Sequence, residues 1–95
     1  MLTGKQKRKL RGMANTLNPL FQVGKDGLSH NLFNTISDSL EAHELVKVSI
    51  LKNSSCDVRE AAFDIASNTK SEIVQIIGKT IVFYRESKKH KIDLI

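Results

Sequence analysis

Two runs rich in β-branched and aromatic residues, Ile-Val-Gln-Ile-Ile at 73–77 and Thr-Ile-Val-Phe-Tyr at 80–84, are separated only by Gly78-Lys79. A two-residue link leaves no room for a crossover, so the runs must form an antiparallel hairpin with glycine at a positive-φ turn position. That pair seeds a sheet to which the earlier blocks must add. Residues 45–51 alternate Val46, Val48 and Ile50 against Lys47 and Ser49, the period of a strand with one face buried. Residues 20–23 read as a further, short strand.

Helical periodicity fills the intervals. Thr3 and Gln6 have capping-box spacing, and Leu10, Met13, Ala14 and Leu17 then recur as one apolar stripe. At 100° per residue Lys5, Arg8 and Lys9 fall opposite that stripe and Arg11 on its flank, and Asn18-Pro19 is expected to stop the helix. Ser29 is the expected N-cap of a second helix, which turns Leu32, Phe33, Ile36 and Leu40 to one side and ends within 41–44. Asp57 and Glu60 open a third, with Val58, Ala61, Ala62 and Ile65 inward and Asn68 as its expected end. The order is α-β-α-β-α-β-β. Strands joined through helices lie parallel and a hairpin lies antiparallel, so the expected fold is α/β: a four-stranded mixed sheet with packed helices. Residues 1–95 suit one domain.

Charge is distributed as unevenly as periodicity. Residues 1–25 carry Lys5, Lys7, Arg8, Lys9, Arg11 and Lys25 before the first acid, Asp26, and the remainder nearly cancels, so the net +5 belongs to this segment. A stabilised surface helix normally intersperses Glu with Lys, and like charges on one helix repel unless an anion relieves them. The segment runs into Gly24-Lys25-Asp26-Gly27, placed between a strand and a helix, where two glycines let a ligand approach the backbone and the following amides face the same point. This pattern suits a phosphate-bearing polyanion, with nucleic acid as the leading partner. The alternatives are a plain βα turn, a merely solvated helix face, or a basic amphipathic helix docking on a protein or an anionic membrane surface. Asp26 counts against phosphate unless its carboxylate points away.

Other chemistries find little support. Cys56 is the lone cysteine, which excludes an internal disulfide and fits a reducing, cytoplasmic setting. His30, His43, His90 and Cys56 are too scattered for a zinc framework, and neither a nucleophile pair nor a dinucleotide or NTPase loop is present. No enzyme activity, cofactor or small-molecule substrate is expected. No apolar run reaches the ~18 residues of a membrane span, and the basic start lacks the apolar core of a signal peptide. Phe21, Phe33, Phe63, Phe83 and Tyr84 are few and are expected mostly in the core, so base stacking has a thin supply. Lys88-Lys89-His90-Lys91 forms a second small basic patch.

Four blocks carry a family resemblance: Lys5-Gln6-Lys7-Arg8-Lys9-Leu10-Arg11, Val23-Gly24-Lys25-Asp26-Gly27-Leu28-Ser29, His43-Glu44-Leu45-Val46-Lys47-Val48 and residues 74–85. In this order they closely resemble the YhbY-like family, the stand-alone bacterial form of the CRM RNA-binding domain. The resemblance implies a fold similar to the C-terminal domain of translation initiation factor three. It also implies RNA binding through Gly24, Lys25, Asp26 and Gly27 with the basic residues of the first helix, and association with ribosomal RNA in large-subunit precursors. Plant relatives carry the domain in intron-splicing factors. Many relatives have Thr-Gly where this chain has Thr69-Lys70, which leaves Asn68 as the expected helix end.

Overall fold

The structure, a computed structural model, describes residues 2–19, 21–24, 27–52, 54 and 57–88. Its elements are α1 (Gly4–Ala14), β1 (Phe21–Val23), α2 (His30–His43), β2 (Leu45–Ile50), α3 (Val58–Thr69), β3 (Glu72–Ile77) and β4 (Thr80–Tyr84), the order expected from periodicity. The strands form one sheet in the order β1-β2-β4-β3, with β1 parallel to β2 and β4 antiparallel to both neighbours. Strand β4 is therefore inserted between β2 and β3, and the three strands that follow helices all point the same way.

Opposite pleats of the sheet bury different helices. Val46, Val48, Ile50, Ile81 and Phe83 join Ile36 and Leu40 of α2 and Ala61, Ala62 and Ile65 of α3 in the larger core. Leu45, Val82, Tyr84 and Val74 join Leu10 and Ala14 of α1 in a smaller one. The result is a helix–sheet–helix sandwich in which α1 covers the Leu45 end of β2, while Lys47 and Ser49 on that face stay half-exposed, as the alternation of the strand leads one to expect. Strand β3 reaches both cores through a bulge: Ile73 pairs with Phe83 but Gln75 with Val82, and the extra residue Val74 turns in beneath α1.

Local signals fix most helix ends. Thr3 Oγ1 accepts from the Gln6 amide at 3.1 Å and Gln6 Oε1 accepts from the Thr3 amide at 2.9 Å, a complete capping box. Ser29 accepts from the Leu32 amide and Asp57 from the Glu60 amide, as expected. Three expectations are corrected. Helix α1 ends at Ala14, before Asn18-Pro19, because the Lys47 ammonium donates at 3.2 Å to the carbonyls of both Ala14 and Leu17 and the Thr16 hydroxyl donates to Met13 O. Cationic donors satisfy the orphan carbonyls of a helix C-terminus and complement its dipole. The apolar stripe shortens accordingly: Leu10 and Ala14 are buried while Met13 and Leu17 stay 38% exposed. Helix α3 runs past Asn68 to Thr69, with Lys70 itself in the left-handed conformation at φ 55°. Asn68 instead donates its side-chain amide to Asp64 O; of the five aromatics, expected mostly in the core, four are in or against it and Phe63 is 66% exposed on α3.

Candidate nucleic-acid interface

The glycine segment leaves β1 at Val23, which pairs with Ile50, and closes a turn through the Gly27 amide and Gly24 carbonyl at 3.0 Å. Gly27 has φ 71°, a conformation that side chains disfavour, so one of the two glycines is required by the backbone itself. The chain then enters α2 through the Ser29 cap, which directs the first amides of that helix toward the same end of the sheet. Lys25 and Asp26 lie outside the described residues, as do Cys56 and residues 89–91 of the second basic patch.

On α1, Lys5, Arg8 and Lys9 are exposed and Arg11 half-buried, matching the angular placement derived from spacing, and Lys7 is half-buried as well. These cations do not adjoin the glycine turn through the start of their helix. The Leu2 amide donates to Glu72 Oε1 at 3.2 Å, and Glu72 pairs with Tyr84, which pairs with Leu45. The first turn of α1 is thus at the Leu45 end of β2 and the glycine turn at the Ile50 end, about 17 Å away along a six-residue strand. The start of the basic helix is therefore not beside the glycines, whereas its C-terminus comes to Lys47, three residues before Ile50.

Two further cations join the glycine end. The Leu51 amide donates to Val23 O at 2.8 Å and the Ile50 amide to Lys79 O at 2.7 Å, so exposed Lys52 and Lys79 stand beside the exit of β1. Neither was singled out by sequence, because only strand order and register bring them there.

Layering also separates charge by side. Helix α1 carries five cations and no acid. Helices α2 and α3 with their caps expose Asp38, Glu41, Asp57, Glu60 and Asp64 against Arg59 and Lys70. One outer layer is therefore wholly cationic and the other is net acidic, an arrangement that orients the molecule toward a polyanion. No group of three or more His, Cys, Asp or Glu side chains able to hold a metal occurs among the described residues. None of the described helices is long and apolar enough to cross a membrane.

The sequence profile of the CRS1 / YhbY (CRM) domain family matches residues 2–85. The chain belongs to this family. Its CRM domain is 50% identical over 91 residues to the Bacillus subtilis protein named "Probable RNA-binding protein YqeI", covering 96% of this chain and 95% of that one. A Haemophilus influenzae protein named "RNA-binding protein" is 36% identical over 94 residues, covering 98% of this chain and 94% of its own length. Among solved structures, the CRM domain is similar to that of the hypothetical protein SAV1595 of Staphylococcus aureus, described as a candidate RNA-binding protein. The TM-score is 0.82 with 49% identity and full coverage of both chains.

Proposed function

We propose that this chain is a non-enzymatic, cytoplasmic RNA-binding module that acts as a ribosome-assembly factor on large-subunit precursor RNA. The observation that carries RNA binding is the sided charge: five cations on α1 with no acid, opposite a net acidic layer. Phosphates meet the glycine turn and the first amides of α2, and the α1 cations contribute by releasing counterions. Relatives named as RNA-binding proteins over nearly their full length support the same partner. The family resemblance supplies the ribosomal destination. Docking of α1 into an anionic membrane surface is disfavoured because Leu10 and Ala14 of its apolar stripe are buried against the sheet.

The test is the salt dependence of RNA affinity. Changing Lys5, Arg8 and Lys9 together to Gln is expected to flatten the log–log slope by roughly 2, at about 0.7 per phosphate contact on single strands. A folded triple variant with the unaltered slope would remove α1 from the interface. Crosslinking in cells, followed by mapping of the bound nucleotides, tests the ribosomal assignment; an absence of large-subunit sequences would refute it.

A further inference from the structure

The face of the sheet that holds α1 is only half covered. Leu45, Val74, Val82 and Tyr84 are buried beneath the helix, whereas one row nearer the glycine turn remains open. The register defines that row: Gln22 pairs with Ser49, Ser49 with Thr80, and Thr80 with Ile77, crossing all four strands. The neighbours Phe21, Val48, Ile50 and Ile81 belong to the opposite core, so all four row members point to the α1 side. Gln22 is exposed, Ser49 and Thr80 half-exposed, and Ile77 54% exposed. The bonds from Lys47 to Ala14 O and Leu17 O fix where the helix stops and the open row begins.

We propose that this row is the floor on which a single-stranded RNA segment lays its bases, joining the glycine turn to the basic helix. The proposal rests on the RNA-binding reading above and adds a base-contacting surface to it. Gln22 precedes Gly24 by two residues, so a strand held at the turn enters the row directly. The side-chain chemistry fits base edges and 2′-hydroxyls: one amide and two hydroxyls, each both donor and acceptor, with Ile77 as an apolar rest. Lys47, Lys52 and Lys79 border the row, and no described carboxylate lies on it, which matches a polyanion and opposes an acidic protein surface. Its width, three inter-strand spacings or about 14 Å, suits two or three bases, the number that open four-stranded sheets present in other RNA-binding folds. Helix α1 rises beside the row by its own diameter, so splayed bases of a single strand reach the floor while the stacked bases of a duplex do not.

The deciding experiment compares the unaltered protein with Gln22→Glu, Thr80→Glu and the control Asn34→Glu, whose site is exposed on the acidic α2 layer. Each is titrated with a labelled random-sequence single-stranded RNA. Each row variant is expected to lose about tenfold in affinity through repulsion at the contact, and the control less than about twofold. As a readout independent of variant folding, RNA containing 4-thiouridine is photocrosslinked to the unaltered protein, with adducts expected on tryptic peptides 71–79 or 80–85. Row variants that bind as the unaltered protein does, with adducts confined to α1, would overturn the row while leaving RNA binding intact. Failure of the unaltered protein to bind RNA in a salt-dependent manner would overturn both. Loss of affinity that merely follows loss of self-association would assign the row to a second copy of the chain and overturn the proposal.

Discussion

Glu44 Oε2 accepts the main-chain N–H of Ser87 at 2.6 Å across 43 residues of sequence, with both residues almost wholly removed from solvent. Glu44 occupies the left-handed C-cap of α2 at φ 67°, and its own carbonyl accepts from the Arg85 amide at 3.0 Å. One residue therefore ends a helix, begins β2 and holds the chain that leaves β4.

Glu44→Ala leaves the Ser87 N–H buried without this acceptor and removes a charge-assisted bond, for an expected cost of about 2–4 kcal/mol. Urea unfolding measures it. RNA affinity of the remaining folded protein is expected to be unchanged, since Glu44 lies at the end of β2 away from the glycine turn.

Lys70 is the opposite case, a left-handed residue without a buried side chain. Lys70→Gly relieves the steric cost of φ 55° while keeping the bond from the cap amide to Ala66 O. A gain of about 0.5–1 kcal/mol in unfolding free energy is expected, net of the added freedom of the unfolded chain. A loss of stability would mean that the lysine side chain contributes more at this end than its backbone strain costs.

Tyr84 sets an alkaline limit. Burial, then the carboxylates of Glu44, Glu86 and Glu72, raise its phenol above the ordinary 10.0. The folded state therefore keeps a proton that the unfolded chain releases near pH 10, so stability is full below that pH and falls as pH rises through the folded pKa. Urea titrations from about pH 8 to about pH 11, set against Tyr84→Phe, isolate this group from the lysines. The stability difference between the two proteins is expected to be flat on the acid side and to shift against Tyr84 on the alkaline side. A constant difference throughout would refute the assignment.

Gly24→Ala combined with Gly27→Ala tests the turn by geometry rather than charge. Added Cβ atoms narrow backbone approach, and at Gly27 alanine must adopt φ 71° at a cost of about 1–2 kcal/mol. Weaker RNA binding by a folded double variant is the expected result, read by titration at fixed salt. Unaltered affinity would reduce the segment to a connection between β1 and α2.

Periodicity and capping chemistry made the element order legible, because Thr3 with Gln6, Ser29, Asp57 and the Gly78-Lys79 turn each act through neighbours in sequence. Contacts made at a distance were not legible. The spacing of Lys47 marks it as the polar side of a strand, yet its ammonium finishes α1, more than thirty residues earlier by its bonds at separations of 33 and 30. The buried state of Glu44 likewise depends on Ser87, and the place of Lys79 beside the exit of β1 depends on β4 lying next to β2. The charge of α1 could be read from its composition, whereas its distance from the glycine turn required the register of three strands. Lys70 shows another limit: propensity favours Asn at a helix end, and tertiary fit of Thr69, whose hydroxyl donates to Ile65 O at 2.7 Å, carried α3 one residue further.

The insertion of β4 between β2 and β3 has a consequence for vectorial synthesis. A chain growing from its N-terminus can build the helices and the β1–β2 pair early, but β3 has no strand to pair with until residues 80–84 have emerged, because β2 and β3 are joined only through β4. The sheet is thus closed by the last strand to leave the exit tunnel, and ribosome-bound chains arrested before Thr80 are expected to lack the protease resistance that longer chains acquire.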